Sequence, residues 1–346
     1  MLLHDHRDFD DLLAVVSREQ AIDPGLVEKD YWIMHALWGL QQLGFRFELK
    51  GGTSLSKGHG LIYRFSEDID ILVHPALDDL PTGKNQNKPA HIEARRTFYD
   101  GLSAKIAIPG ISEVERDEAF DDQRMRSAGI RLHYTPRSPL PEGVKDGILL
   151  EAGFDQVAPN RPCRISSWAY DKAAASGLAD LTDNRALDVP CYEPGYTLVE
   201  KLQTISTKFR RHLEDGSMPQ NFLRHYYDIY CLLGDADVQA FIGAEAYVAH
   251  KEARFPAADN KMIAENPVFD LSDRTTRDRF ARAYAATSAL YYRGQPSLVD
   301  ILGRIQEYSD RCERSVPAYV KWTARRRSDL MRKRDIRITV QRNSRR

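Results

Sequence analysis

Apolar side chains recur every three to four positions over residues 9–43, where "DFDDLLAVVSREQ" and "LVEKDYWIMHALWGLQQLG" flank a break at "IDPG". This spacing predicts two helices, the second carrying Leu26, Ile33, Leu37 and Leu40 on one stripe and stopping at Gly44. The period then drops to two. "FRFELKGG" predicts a short strand ending in a glycine pair, "TSLSKGHG" supplies about two helical turns, and "DIDILV" predicts a second strand. "PALDDLPTGKNQNKP" is a loop by its turn formers, and "HIEARRTFYDGLSAKI" is helical. "GIRLHYTP" and "GILLEAGF" form a strand pair, and the Pro/Asn-rich "QVAPNRP" follows. From Tyr196 the pattern is helical through "TLVEKLQTISTKFRRHLEDG", "QNFLRHYYDIYCLLG" and three further segments, with no repeat of fixed period. The chain therefore predicts an α+β fold with N-terminal helices over residues 1–40, a mixed core over 41–195, a helical domain over 196–320 and a tail over 321–346.

Composition narrows the class. The 346 residues, 42% hydrophobic, can bury a substantial core, and no apolar run approaches the roughly 20 residues of a membrane helix. The opening "MLLHDHRDFDDLL" carries acids where a secretory leader carries bases, so the expected location is the cytoplasm. Cys163, Cys191, Cys231 and Cys312 lie far apart without CxxC or zinc spacing and read as reduced structural thiols. The formal net charge of −1 conceals a division: residues 321–346 hold 11 Lys/Arg against Asp329 and Asp335, leaving 38 basic and 48 acidic side chains before them. Such a tail either contacts nucleic acid or is a solvated extension.

Two acids interrupt "DIDILV". On a strand, Asp68 and Asp70 project from the same face while Ile69, Ile71 and Val73 project from the other. Paired carboxylates repel unless a cation joins them, and Mg2+ is commonly held by one or two carboxylates completed by water and phosphates. Upstream, Gly51 and Gly52 would let backbone amides approach a phosphate, with a helix start at Thr53 and Ser54. A glycine turn and a D-x-D strand at this distance describe a nucleotidyltransferase core. Glu151 interrupts the apolar "ILLEAGF" and is the candidate third carboxylate, either for metal binding or for deprotonating the attacking hydroxyl. Arg64 precedes the acidic strand, where its guanidinium could grip an NTP phosphate. Further on, Lys201, Thr204, Lys208 and Arg211 share a helix face opposite the stripe Leu198, Leu202, Ile205 and Phe209. Arg224 and Asp228, four apart, could pair with each other or orient Lys201.

"VEKDYWI" (27–33), "LKGGTSLSKGHGLIYRFSEDIDILV" (49–73), the strand of Glu151, "LVEKLQTISTKFRR" (198–211) and "FLRHYYDIYCLL" (222–233) together resemble the AbiEii family, the nucleotidyltransferase toxins of bacterial abortive-infection and type IV toxin–antitoxin systems. The resemblance implies a polymerase-beta-like core, Mg2+-dependent transfer of a nucleotide from an NTP to an acceptor, tRNA for some members, and a cognate antitoxin. Carried over by position, Gly52 to Ser54 hold phosphates, Ser66 and Asp68 stand at the reacting centre, and Asp70 completes the metal pair. Lys201 matches the family's helical lysine and Asp228 its aspartate, whereas Glu151 stands where members often carry Asp. The expected enzyme thus holds Mg2+ on Asp68, Asp70 and Glu151 and uses Lys201 and Lys208 to neutralise departing pyrophosphate. Transfer to a protein or small molecule, and NTP or partner binding without turnover, are the alternative readings.

Overall fold

The computed structural model describes residues 1–74, 80–83, 85–155, 157–216 and 222–313. Helix α1 spans Phe9–Gln20. Helix α2, Pro24–Gln42, begins where the Asp23 carboxylate accepts a hydrogen bond from the Gly25 N–H at 2.8 Å, with Pro24 in the first turn. The expected single apolar stripe of α2 is exceeded: every residue from Gly25 to Leu37 is buried, because α1, helix α5 (Trp168–Ala175) and the sheet enclose it.

The sheet has seven strands in the order β3-β4-β5-β2-β1-β7-β6. Strands β1 (Phe47–Lys50) and β2 (Asp68–Val73) pair antiparallel, Lys50 opposite Asp70, while β2 runs parallel to β5 (Ile148–Gly153), Asp70 opposite Glu151. Strand β4 (Ser127–Tyr134) pairs antiparallel with β5, as expected. Three strands escape the hydrophobic pattern. Edge strand β3 (Ile111–Asp117) is half charged, edge strand β6 (Asn160–Ile165) falls partly in the Pro-rich segment read as loop, and β7 (Ala186–Tyr192) sets Pro190 opposite Pro162 of β6. Charges and prolines suit sheet edges because they blunt unwanted pairing. The single turn α3, Gly51–Thr53, follows β1, and helix α4, Pro89–Lys105, lies where its pattern predicts.

Helices then follow as α6 (Pro194–Asp215), α7 (Arg224–Leu232), α8 (Ala236–Phe241), α9 (Glu245–Arg254), α10 (Arg274–Ala285) and α11 (Leu298–Glu313). Helix α6 buries Leu198, Leu202, Ile205 and Phe209 against α7, α8 and α9, each contributing about 1.5–3 kcal/mol by leaving water, and ends at Gly216 with φ +73°. Apolar residues gather in two clusters, one around the sheet with α1, α2 and α5, the other within α6–α11. Leu55 and Ile62, which lie between β1 and β2, belong to the second cluster. Leu290 O accepts from Phe65 N at 2.8 Å and Tyr63 O accepts from Tyr292 N at 3.1 Å, so residues 63–65 are strapped to the segment before α11. No helix among the described residues is long and apolar enough to cross a membrane. The basic tail lies outside the described residues.

Candidate active site

The glycine turn leaves β1 directly beneath the acids. Gly51 has φ +72°, and a Cβ there would overlap Oδ2 of Asp70; a Cβ on Gly52 would stand 2.5 Å from Oγ of Ser66. Both glycines are thus needed so that Asp70 and Ser66 can pack against the turn. Thr53 and Ser54, expected to hold phosphates, turn their side chains into the protein. Thr53 is 1% exposed and its hydroxyl donates to the Asp68 carbonyl at 2.6 Å, pinning the turn to β2, while Ser54 is fully buried in a π-helical turn, Ser54–Gly58.

The acidic residues converge. On β2 the residues alternate between half-buried Asp68 and Asp70 and buried Ile69, Ile71 and Val73, and Asp70 faces Glu151 across the ladder. Burial pushes the Asp70 carboxyl up against the lowering field of Lys50, and Asp68 adds to the rise. Burial, then Asp70 and Asp68, push Glu151 up to about 7. Lys50 and Arg224 compensate the crowded carboxylates only in part, and the carboxylate oxygen donors suit a divalent cation. Among the described residues no group of three or more His, Cys, Asp or Glu side chains is placed to hold a metal ion. The three-ligand set expected of Asp68, Asp70 and Glu151 is therefore not preassembled.

Across from the acids, α6 and α7 supply cations. Lys201 is buried and its Nζ lies 2.9 Å from Oδ2 of Asp228. Arg64 grips the same carboxylate, Nε to Oδ1 at 2.6 Å and Nη2 to Oδ2 at 2.8 Å, and donates through Nη1 to the Phe65 carbonyl at 3.1 Å. Arg64, expected to grip a phosphate, is thus engaged with Asp228 inside the protein. Burial alone would raise Asp228, but Arg64 and Lys201 outweigh it and hold the carboxyl far below the usual range. Burial drives His225 well below the ordinary imidazole value, leaving a neutral ring whose Nδ1 stands 3.4 Å from Lys201 Nζ. The field of Lys201 lowers Asp70, placing the lysine on the acids' side of the molecule. Lys208 is depressed by burial and then by Arg224 and Lys201, with Glu151 opposing.

A cavity of about 770 Å³ opens beside Asp70 and Glu151, walled by Lys50, Arg126, Tyr192 and Arg254 among others. That volume suits a nucleotide-sized ligand. Asp68, Ser66 and Lys201 stand outside its lining.

The chain has counterparts among known proteins. The family model of the nucleotidyl transferase AbiEii toxin, type IV toxin–antitoxin system, matches residues 32–314. The chain belongs to the AbiEii family. As an AbiEii protein it is a nucleotidyltransferase of the toxin class, in agreement with the resemblance its motifs carry. Among solved structures, the nucleotidyltransferase toxin MenT4 from Mycobacterium tuberculosis H37Rv is similar over 92% of this chain and 97% of its own, at 15% identity and a TM-score of 0.53, which supports the fold. An antigenic nucleotidyltransferase-like protein from Paracoccidioides brasiliensis aligns over 79% of this chain and 96% of its own, at 14% identity and a TM-score of 0.30. No curated protein sequence matches.

Several residues of this AbiEii site were not singled out by the hydrophobic pattern. Lys50, the last residue of β1, faces Asp70 only because of the hairpin register, and its Nζ also lies 3.6 Å from Asp155. Arg254 of α9 binds Asp155 at 2.9 Å and Glu200 at 3.4 Å, closing the cavity wall. The "VEKD" acids and lysine act as buried staples. Glu28 accepts from the Arg137 and Ser138 N–H groups at 2.9 Å, Lys29 donates to the Lys145 carbonyl, and Asp30 meets Lys57 Nζ at 2.6 Å and Trp168 N at 2.9 Å. Because Lys57 closes the π turn, Asp30 anchors the far end of the glycine turn.

Proposed function

We propose that this AbiEii enzyme transfers a nucleotidyl group from an NTP to a hydroxyl of an RNA acceptor, tRNA foremost, in an Mg2+-dependent reaction in the cytoplasm, and that a cognate antitoxin restrains it. The observation that carries this reading is the placement of Asp70 opposite Glu151, with Asp68 on the same strand face, beside a nucleotide-sized cavity and beneath the cations of α6. The acidic strands belong to the unit over residues 41–195 and the lysines to that over 196–320, so the reaction would take place between the two.

Mg2+ on Asp68 and Asp70 would supply charge neutralisation to the triphosphate. Glu151, poised near neutrality, takes the proton of the acceptor hydroxyl as its oxygen bonds to the α-phosphorus, and the bond from that phosphorus to the bridging oxygen breaks to release pyrophosphate. Lys208 and Lys201 meet the negative charge that leaves, Lys201 being oriented by Asp228, which Arg64 in turn fixes. RNA as acceptor is supported by the 11 cations of residues 321–346, which suit a phosphate backbone.

Incubation of the purified chain with each α-labelled NTP and either total RNA or lysate protein tests this reading. Label is expected in RNA and absent with Asp68→Ala or Asp70→Ala. Label in protein alone would replace the acceptor, and undiminished labelling by both variants would remove the carboxylates from the chemistry. Growth arrest on expression, relieved by the product of an adjacent gene, is the expected sign of the antitoxin.

A further inference from the structure

Arg224 opens α7 and brings Nη2 to 3.7 Å from Oδ2 of Asp68. Its helical neighbour one turn on, Asp228, is already taken by Arg64 and Lys201, so Arg224 has been left to the catalytic acid. The Nε of Arg224 is buried and has no hydrogen-bond partner among the described residues. A guanidinium presents a planar fork of donors suited to phosphate oxygens, and a buried unpaired donor is costly unless a ligand supplies its acceptor. The side chain also borders a cavity of about 150 Å³ with Glu67, Phe222 and Tyr291, which gives it room to move off Asp68. Its charge is felt by Asp70 and Glu151 as well as by Lys208, so it sits at the centre of the acids and cations described above.

We propose that Arg224 is an exchanging counter-ion: it occupies Asp68 in the nucleotide-free enzyme, yields that carboxylate to the divalent cation when the cation and NTP arrive together, and takes triphosphate oxygens with its freed fork. The inference rests on the nucleotidyltransferase reading given above. Its logic is that a guanidinium and a divalent cation cannot share one carboxylate oxygen without mutual repulsion, whereas a triphosphate offers Arg224 a new anion. Cation and nucleotide binding are then positively coupled, and a cation alone binds poorly.

The test uses the full chain with Mn2+ as the cation probe, read by electron paramagnetic resonance without nucleotide, and calorimetric titration of each NTP with Mn2+. Arg224→Met is expected to bind Mn2+ alone about five-fold tighter, the scale of removing one partly exposed ion pair, and to bind the NTP about ten-fold more weakly. Unchanged or weakened Mn2+ affinity in that variant overturns the proposal. Should Arg224→Met fail to fold, Arg224→Lys decides, because it retains the charge but not the fork. Mn2+ affinity near wild type with weakened NTP affinity supports the exchange, and undiminished NTP affinity overturns it. A wild-type chain that binds neither Mn2+ nor any NTP removes the underlying reading too, which distinguishes that failure from one confined to Arg224.

Discussion

Replacing Asp228 with Asn exposes how the helical half holds its lysine. The carboxylate is fully buried and neutralises two buried cations, Arg64 by a bidentate pair at 2.6 and 2.8 Å and Lys201 at 2.9 Å. The amide keeps the shape but removes the charge and points a donor at one of the two cations. Breaking a buried pair from one side costs about 3–5 kcal/mol, since the remaining charge is left uncompensated. For a chain of this length that corresponds to a fall in Tm of roughly 4–7 °C. Transfer should drop by about two orders of magnitude or more, because Lys201 loses its orientation. The contribution of Asp228 is present above the ordinary carboxylate range and is lost only as pH falls through its depressed folded value, so the full effect is expected at pH 7. Thermal unfolding and labelled-NTP transfer measure the two consequences. Arg64→Met combined with Asp228→Asn should be less destabilised than the sum of the single variants, since one orphaned cation is gone. Additive losses, or an Asp228→Asn protein that melts with the wild type and transfers normally, would refute the argument.

Glu151→Gln should abolish the rise in transfer rate that the wild type shows as pH passes through about 7, and a retained limb in the pH–rate profile would assign the base elsewhere. Because folding raises the Glu151 value, that carboxyl costs stability progressively as pH climbs from the ordinary carboxylate range to about 7; Glu151→Gln should therefore melt higher than wild type at pH 8 and alike at pH 4. Gly51→Ala places a methyl onto Asp70 at φ +72°, so transfer should fall at least ten-fold with a loss of about 1–3 kcal/mol in denaturant titrations, and a fully active variant would show that the turn yields. Deleting residues 321–346 should weaken RNA binding and flatten its salt dependence in filter-binding assays, whereas an unchanged salt slope would exclude the tail from the contact.

The acids were legible because strand periodicity alone sets Asp68 and Asp70 on one face, and Glu151 is an acid inside an apolar run. The α6 stripe was legible for the same reason at the helical period. What local spacing could not reveal was where polar side chains point once the chain closes. The turn rolls the Thr53 and Ser54 side chains inward, and Arg64 finds Asp228 across 164 residues of chain. The staples of Glu28, Lys29 and Asp30 are hidden likewise, since charged residues on a helix read as solvent-facing unless distant loops are known to return to them. Strands β3, β6 and β7 lack a clean alternation because edge positions and prolines answer to pairing control rather than to burial.

The strap that joins residues 63–65 to residues 290–292 also fixes when the loop beside the acids can be fastened. A ribosome delivers the acidic strand well before Leu290 and Tyr292, and until those residues emerge the loop bearing Arg64 and Ser66 lacks its clasp. The fastening of this loop therefore waits on synthesis of the chain through residue 292.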